Sequence, residues 1–458
     1  MIPRLLPRLP AVALLVALYA LALWVRWRDL GASLMLGDAT GPWLVALADP
    51  IGRSPHASPF GWALHPPYAI CMALAGSLWE AVAGMQALHA LAAPLAAWAA
   101  LRLRSDGWAA AIAAGALVAL DGGLVNTALS GSKGYLGATW LAVAVLGIAV
   151  RGRWGPLLAC GALAAAVMNH PYALAAAPLL IALPRTRWTV GGLALAALLL
   201  APRILRALGE PAPGSGGIEL DLWNAGDAWL DQGGIGAFVL LVAPLAGLAD
   251  RRTRPLAIGA LLSVLAAGLL SWRLGYIRDY HLRLLTVPAA VCLAGLPRHW
   301  AALALLALRV PAHRLPPDRP PQPGTLGLAT QLAGALDRAV DAPRAPLLVD
   351  AARISGVPAA EPAALMLDLH LRGWPLADLA PGGAVALLVT VDREHMARLP
   401  ASPTRLVSGD RYLLVSEGAE GLAEGLCELS PRFGGAWDWV AVAHPGATME
   451  LMPVWPCE

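Results

Sequence analysis

Leu36-Gly37-Asp38-Ala39-Thr40-Gly41-Pro42-Trp43, an amphipathic run from Leu44 to Asp49, a Pro-, Gly- and Ser-rich turn and then His65-Pro66-Pro67-Tyr68 fill the interval behind the first apolar run of the chain, residues 9 to 25. A carboxylate just beyond an apolar helix, with an amphipathic stretch and a Pro-Pro return behind it, suits a surface where water meets lipid. The composition on both sides is that of an integral membrane protein. Hydrophobic residues make up 58% of the 458 positions and charged ones 14%, against about 25% charged in soluble domains. A net charge of +3 spread along so apolar a chain offers no polyanion-binding surface. That excludes a nucleic-acid partner, a disordered chain and a single-domain soluble enzyme.

Working outward, apolar runs of roughly 15 to 20 residues, enough to reach across a bilayer core, recur to about residue 310. They number about eleven: 9–25, 86–101, 108–125, 134–150, 155–169, 171–184, 188–204, 235–249, 255–272, 282–297 and 299–312. The first has a basic flank at Arg4 and Arg8 but no small-residue cleavage site, and reads as an uncleaved membrane helix. The run Ala69 to Gly84 reads as a helix lying at the outer interface. With that choice Arg4, Arg8, Arg102, Arg104, Arg151, Arg153, Arg185, Arg187, Arg251, Arg252, Arg254 and Arg298 all fall in short cytoplasmic turns, as the positive-inside rule requires. Residues 26–85, the loop around Lys133, the stretch 205–234 and the loop Arg273 to Tyr280 are then outside.

The chain therefore divides into an all-α polytopic membrane domain, 1–312, with interfacial helices in its first outer loop; a Pro-rich linker, 313–324; and a small soluble α/β domain, 325–458. In the last part, β-type runs Pro346–Asp350, Ala384–Val391 and Tyr412–Ser416 alternate with helical stretches Leu326–Val340 and Glu361–Leu371. An odd number of spans puts it on the outer side as well. Its Asp368 and His370, and Asp392, Glu394 and His395, come without a nucleophile elbow, P-loop or metal spacing, and read as surface charges.

The order of an apolar first helix, an acidic loop, an amphipathic stretch and HPP resembles the GT-C fold membrane glycosyltransferases, and within them the protein O-mannosyltransferase branch. Leu117-Val118-Ala119-Leu120-Asp121-Gly122-Gly123 resembles the end of that branch's third helix. Tyr276-Ile277-Arg278-Asp279-Tyr280-His281-Leu282-Arg283, followed by Val287-Pro288, resembles its aromatic-Arg entry into a late helix. The resemblance covers about the first 300 residues. It departs from the family's pattern in two places: Ala39 follows Asp38 where the family usually has Asp-Glu, and Leu129-Ser130-Gly131-Ser132-Lys133-Gly134-Tyr135 holds no acidic residue.

The resemblance implies transfer of a sugar from a polyprenyl phosphate carrier to a hydroxyl of a protein, lipid or glycan acceptor on the outer face. A phosphate ester leaves without a protein acid, so one carboxylate suffices to take the acceptor proton, and cations stabilise the phosphate left behind. Asp38 is the candidate base; it is also well placed to cap the helix that follows. Lys133, the sole lysine, with Arg273, Arg278, His281 and Arg283, are candidate phosphate-facing cations; each also suits anchoring to lipid head groups. His65, Tyr135, His170 and Tyr276 are candidate substrate contacts. No metal ligand set is assigned; Asp38 and His65 together could hold a divalent ion, but two separated ligands specify none.

His89 and Asp121 fall at membrane level, where polar groups are costly unless paired. Of the five cysteines, Cys71, Cys160 and Cys292 read as core residues, while Cys427 and Cys457 could pair in an oxidising compartment. Two other readings remain open: a non-catalytic relative that binds an envelope partner, and a transporter of a lipid-linked sugar, for which charges midway along broken helices would be expected.

Overall fold

The computed structural model describes residues 9–28, 30, 42–43, 46, 61–104, 107–129, 135–150, 152–209, 240–274 and 282–297, and in the last third 326–327, 329–330, 333, 347–349, 360–373, 387–390, 404–408, 412–416, 440–443 and 449–452. Two compact units emerge: Met1–Asp29, Ser58–Leu64 and Gln86–Pro320 form the first, and Leu30–Ala57, His65–Met85 and Pro321–Glu458 the second.

The first unit is helical throughout its described residues. Its elements are α1 (Leu9–Trp27), the end of α3 (Leu78–Ala90), α4 (Ala92–Leu103), α5 (Trp108–Leu120), α6 (Gly122–Leu129), α7 (Tyr135–Ala149) and α8 (Trp154–Asn169). A 3₁₀ segment (Pro171–Ala182), α9 (Arg187–Gly209), α10 (Arg254–Leu274), α11 (Thr286–Val291) and a 3₁₀ turn (Cys292–Gly295) complete it. The apolar runs fall on these elements, except that the run 235–249 is described only from residue 240, with a helix over 240–247, and the run 299–312 lies outside the described residues.

Alanine and glycine set the packing. Ala92, Ala93, Ala96, Ala97 and Ala100 of α4 meet Ala110, Ala111, Ala113 and Ala114 of α5 in one buried cluster. Small side chains let helix backbones approach closely, which is how helices associate where lipid supplies no hydrophobic drive. A Cβ on Gly147 of α7 would lie 2.9 Å from Ala159 Cα of α8, and one on Gly259 of α10 would lie 3.0 Å from Pro178 O. Either substitution would push two backbones apart.

The outward faces carry the opposite message. Leu193 and Leu198 on α9, Leu265 and Leu269 on α10, and Val16 and Trp24 on α1 are large, apolar and exposed. Such stripes repeated over several helices have no place in water and suit a lipid surround. Among the described residues two stretches, Leu9–Trp27 and Leu78–Leu103, are long and apolar enough to cross a membrane by length and composition, and seven shorter apolar helices accompany them. The 15 residues of α7 rise about 22 Å, short of the roughly 30 Å core, a mismatch that a locally thinned bilayer accommodates.

One boundary differs from expectation. The run expected as a single interfacial helix, Ala69–Gly84, is split between α2 (Gly61–Leu74) and α3, which starts at Leu78. Polar caps mark the break: Ser77 Oγ accepts from the Glu80 N–H at 3.3 Å, as in a capping box, while Glu80 Oε2 accepts from the N–H of Gly76, one residue before the N-cap, at 2.7 Å. As a result the apolar stretch begins at 78 rather than 86, and His89 lies near its middle rather than its end.

In the second unit, α2 carries Pro66 and Pro67 inside the helix, which removes the N–H partners of the Trp62 and Ala63 carbonyls. Helix α12 (Ala360–Leu371) brings Asp368 to the first turn of α3, where its carboxylate accepts from the Leu78 N–H, and its other oxygen pairs with Arg372 Nε at 2.9 Å. Asp368 is fully buried, so the expectation of a surface charge there is corrected. A helix N-terminus with orphan N–H groups is a favourable partner for a carboxylate.

Strands β1 (Leu347–Val349), β2 (Leu387–Thr390), β3 (Thr404–Ser408) and β4 (Tyr412–Ser416) pair in the order β1-β2-β4-β3. The first pair is parallel with Leu347 opposite Leu387, and the others are antiparallel. β5 (Val440–Ala443) and β6 (Met449–Met452) form a separate antiparallel pair. Three of the expected β-runs coincide with β1, β2 and β4.

Candidate functional site

Polar side chains that an apolar bundle would not otherwise keep gather at one end of the first unit. Asp121 stands between α5 and α6, and its Oδ1 accepts from the Leu124 N–H at 2.8 Å, capping α6. Its Oδ2 lies 3.6 Å from Arg283 Nη1 and 3.3 Å from Thr286 Oγ1, which donates to it. Both charged side chains are buried, at 3% and 2% exposure. Asp121 is thus paired, as a carboxylate at this depth must be.

Arg283 is only half satisfied. Its Nε and Nη2 have no hydrogen-bond partner among the described residues. These two nitrogens form the edge of the guanidinium that binds two oxygens of one anion side by side. Space for the side chain comes from Gly123: a Cβ there would stand 2.6 Å from Arg283 Cδ and 2.8 Å from Cγ, and closer still to Nε.

A second buried cation lies on the other flank of the α5 terminus. Arg26, in the last turn of α1, donates from Nε to His89 Nδ1 at 3.0 Å and from Nη1 to the carbonyls of Ala22 at 2.9 Å and Ala119 at 3.3 Å. His89 Nδ1 is thus the acceptor for the guanidinium. Sequence reasoning took Arg26 as part of the loop flank; the available signal was a costly membrane-level His89 in need of a donor.

Opposite this end, Arg104 Nη1 donates to Leu296 O at 2.9 Å, Arg254 Nε to Leu248 O at 3.0 Å, and Thr253 Oγ1 to Gly247 O at 2.6 Å. The basic turns 102–104 and 250–254 are therefore tied to the bundle's other end.

The remaining sequence candidates fall as follows. His170 caps the 3₁₀ segment, its Nδ1 accepting from the Tyr172 N–H at 3.3 Å, with the two rings 6.0 Å apart. In the second unit His65 is fully buried on α2, and three residues on Tyr68 packs edge-on against Trp43, with centroids 4.5 Å apart. The acidic loop and the HPP return thus meet through Trp43 and Tyr68. Asp38, Lys133, Tyr276, Arg278 and His281 lie outside the described residues, and for Tyr135 and Arg273 only the backbone, in α7 and α10, is described. Among the described residues no group of three or more His, Cys, Asp or Glu side chains comes together.

No protein-family model and no curated protein matches the chain. Among solved structures, ArnT from Cupriavidus metallidurans bound to undecaprenyl phosphate matches with a TM-score of 0.51 at 12% identity, over 88% of this chain and 97% of that one. The apo state of the same protein matches with a TM-score of 0.50 at 14% identity, over 91% and 99%. At such identities the likeness speaks to the fold, and it is a likeness over nearly the whole length of both chains. It supports the GT-C fold, without singling out the O-mannosyltransferase branch.

Proposed function

We propose that this chain is a multi-pass membrane glycosyltransferase of GT-C type. It moves a sugar from a polyprenyl phosphate carrier to a hydroxyl on a protein, lipid or glycan acceptor at the outer face of a bacterial inner membrane. The observation that carries the reading is Arg283, a buried guanidinium in a lipid-facing bundle whose two-nitrogen edge has no partner among the described residues. Intramembrane charge is retained where it serves a substrate or a pathway, and the ligand that matches this edge is an anion with two or more oxygens, such as a phosphate. The solved structure of like fold holds undecaprenyl phosphate, which agrees in chemistry.

In this reading the acceptor hydroxyl gives its proton to the Asp38 carboxylate as its oxygen attacks the anomeric carbon. The bond from that carbon to the phosphate oxygen breaks, and the polyprenyl phosphate leaves with the electron pair. Arg283, with Arg273 near the end of α10 and Lys133, Arg278 and His281 from the outer loops, stabilises the charge that builds on the phosphate. His65, Tyr135, His170 and Tyr276 contact substrate. Residues 1–312 act as the transferase domain, with 313–324 the linker and 325–458 a periplasmic α/β domain built on the paired strands.

Arg283→Lys tests the carrying observation. It keeps a positive charge beside Asp121 and loses the fork. Protein reconstituted in nanodiscs should bind undecaprenyl phosphate roughly tenfold or more weakly, the scale of one charge-assisted hydrogen bond, while remaining folded. Equal binding by the variant and the wild type would refute Arg283 as the phosphate partner; no binding by the wild type would refute the carrier reading itself.

A further inference from the structure

Asn169 is a further side chain of the first unit whose polar atoms are buried without a hydrogen-bond partner among the described residues, and unlike Gln86, which has one half of its amide bonded, it has neither half bonded. It is the last residue of α8 and fully buried, and neither Oδ1 nor Nδ2 has a hydrogen-bond partner among the described residues. Its surroundings are apolar and close. The point where Gly137 of α7 would carry a Cβ lies 3.6 Å from Asn169 Oδ1 and 3.3 Å from Leu284 Cδ2. Leu284 follows Arg283 in the chain, so Gly137 stands beside both Asn169 and the residue next to Arg283.

A buried amide with neither half bonded is expensive, since each orphan polar group forfeits its hydration. Leucine has the same branched skeleton of four side-chain heavy atoms, is bulkier, and carries no such cost, so an apolar bundle gains nothing from hydrogen bonding by keeping Asn at this position. An amide also states what it needs, because it offers two donors on nitrogen and an acceptor on oxygen. A phosphate ester at neutral pH presents acceptors only and would leave Oδ1 facing other oxygens. A sugar hydroxyl both donates and accepts, and a vicinal pair of hydroxyls satisfies both ends of the amide together.

Resting on the carrier reading above, we infer that Asn169 contacts hydroxyls of the sugar on the carrier, while Arg283 holds the phosphate. Asn169 is then a specificity-determining residue: it separates the sugar-bearing donor from the bare carrier that is the product. Gly137 keeps the space beside the amide open.

Asn169→Leu and the smaller Asn169→Ala test this in nanodiscs with two probes, undecaprenyl phosphate and a set of its hexosyl and pentosyl esters. The readout is the ratio of variant to wild-type affinity, ligand by ligand, beside thermal unfolding without ligand. The expected result is a roughly tenfold or greater loss for the ester that the wild type uses, the scale of one or two buried hydrogen bonds. The bare carrier should bind unchanged, and the unfolding temperature of the Leu variant should equal or exceed that of the wild type.

An equal loss for bare carrier and esters would assign Asn169 to the phosphate and overturn the inference. A lowered unfolding temperature in the Leu variant with unchanged affinity ratios would make the amide a structural group bridged by water, and would overturn it too. Unchanged ratios with unchanged stability would do the same. A wild type that binds bare carrier but shows no Asn169 effect leaves the phosphate reading standing, whereas a wild type that binds neither probe removes both.

Discussion

Gly123→Ala perturbs the site without touching a charge. The added methyl would stand 2.6 Å from Arg283 Cδ and 2.8 Å from Cγ, where carbon atoms ordinarily rest about 3.5 to 4.0 Å apart. The arginine stem must therefore retreat by roughly 1 Å. At 2% exposure it has little room to do so. If Nη1 moves from 3.6 Å to about 4.6 Å from Asp121 Oδ2, the attraction at an effective dielectric of 20 falls by about 1 kcal/mol. Overpacking adds about 1 to 3 kcal/mol, offset by at most about 1 kcal/mol of helix propensity gained by replacing glycine in α6.

Stability should thus fall modestly and carrier binding more steeply. Turning the Nε and Nη2 edge away from its anion loses a charge-assisted bond of about 1.5 to 3 kcal/mol, which is roughly tenfold to hundredfold in affinity. Undecaprenyl phosphate titrated against the purified variant in nanodiscs measures this. Gly268→Ala, where nothing lies within 4 Å of the new methyl, is the control for propensity alone. If Gly123→Ala binds the carrier like wild type and gains stability as Gly268→Ala does, the placement of Arg283 does not matter to the ligand and the reasoning fails.

Asp38→Asn should leave thermal unfolding in place and lower transfer by about 100-fold or more, the scale of a lost general base; transfer at the wild-type rate would exclude Asp38 from that role. For sidedness, a cysteine-free chain carrying Cys at Ser58 or Ser408 should react with a membrane-impermeant thiol reagent on intact spheroplasts, while Arg252→Cys should not. Arg252 is chosen because it is exposed, whereas its neighbour Thr253 is buried with its hydroxyl on Gly247 O at 2.6 Å. Outside labelling at 252 would invert the topology.

The helices were legible because a membrane segment announces itself by apolar length. Starts at Leu9, Trp108, Tyr135, Trp154, Arg187 and Arg254 fall within a residue or so of runs read from hydropathy. The start of α3 was missed although Ser77-Leu78-Trp79-Glu80 spells a capping box, because an apolar run hides a polar stop within it. His89 and Asp121 were recognisable as groups in need of partners, yet their partners were not. Arg26 lies 63 positions from His89 and Arg283 is distant from Asp121 in sequence, and hydropathy carries no information about which distant residue closes a pair. Asn169 was passed over because an amide between Met168 and His170 looks like a turn; only its complete burial sets it apart. Asp368 misled in the same way, since a tail carboxylate reads as solvated until a helix N-terminus is found beneath it.

The two buried arginines fail in complementary ways, and that narrows the ligand. Arg26 is satisfied in geometry, with three acceptors around it, but no carboxylate among the described residues lies within salt-bridge distance of it. Arg283 is satisfied in charge by Asp121 but not in geometry, with two nitrogens unpartnered among the described residues. Ala119, whose carbonyl takes Arg26, and Asp121, whose carboxylate takes Arg283, are two residues apart on the α5 terminus. Among the described residues this end of the bundle therefore holds two buried guanidinium groups against one buried carboxylate. A neutral sugar alone would fill hydrogen bonds and leave the charge; a small monovalent anion would reduce the charge and fill fewer bonds. In the reading proposed above, a phosphate that bears a sugar would supply oxygens for the open edge of Arg283, negative charge for the pair of arginines, and hydroxyls for the Asn169 amide. Burying excess positive charge in an apolar bundle costs stability, and the lipid-linked sugar phosphate proposed above as ligand would offset each part of that cost.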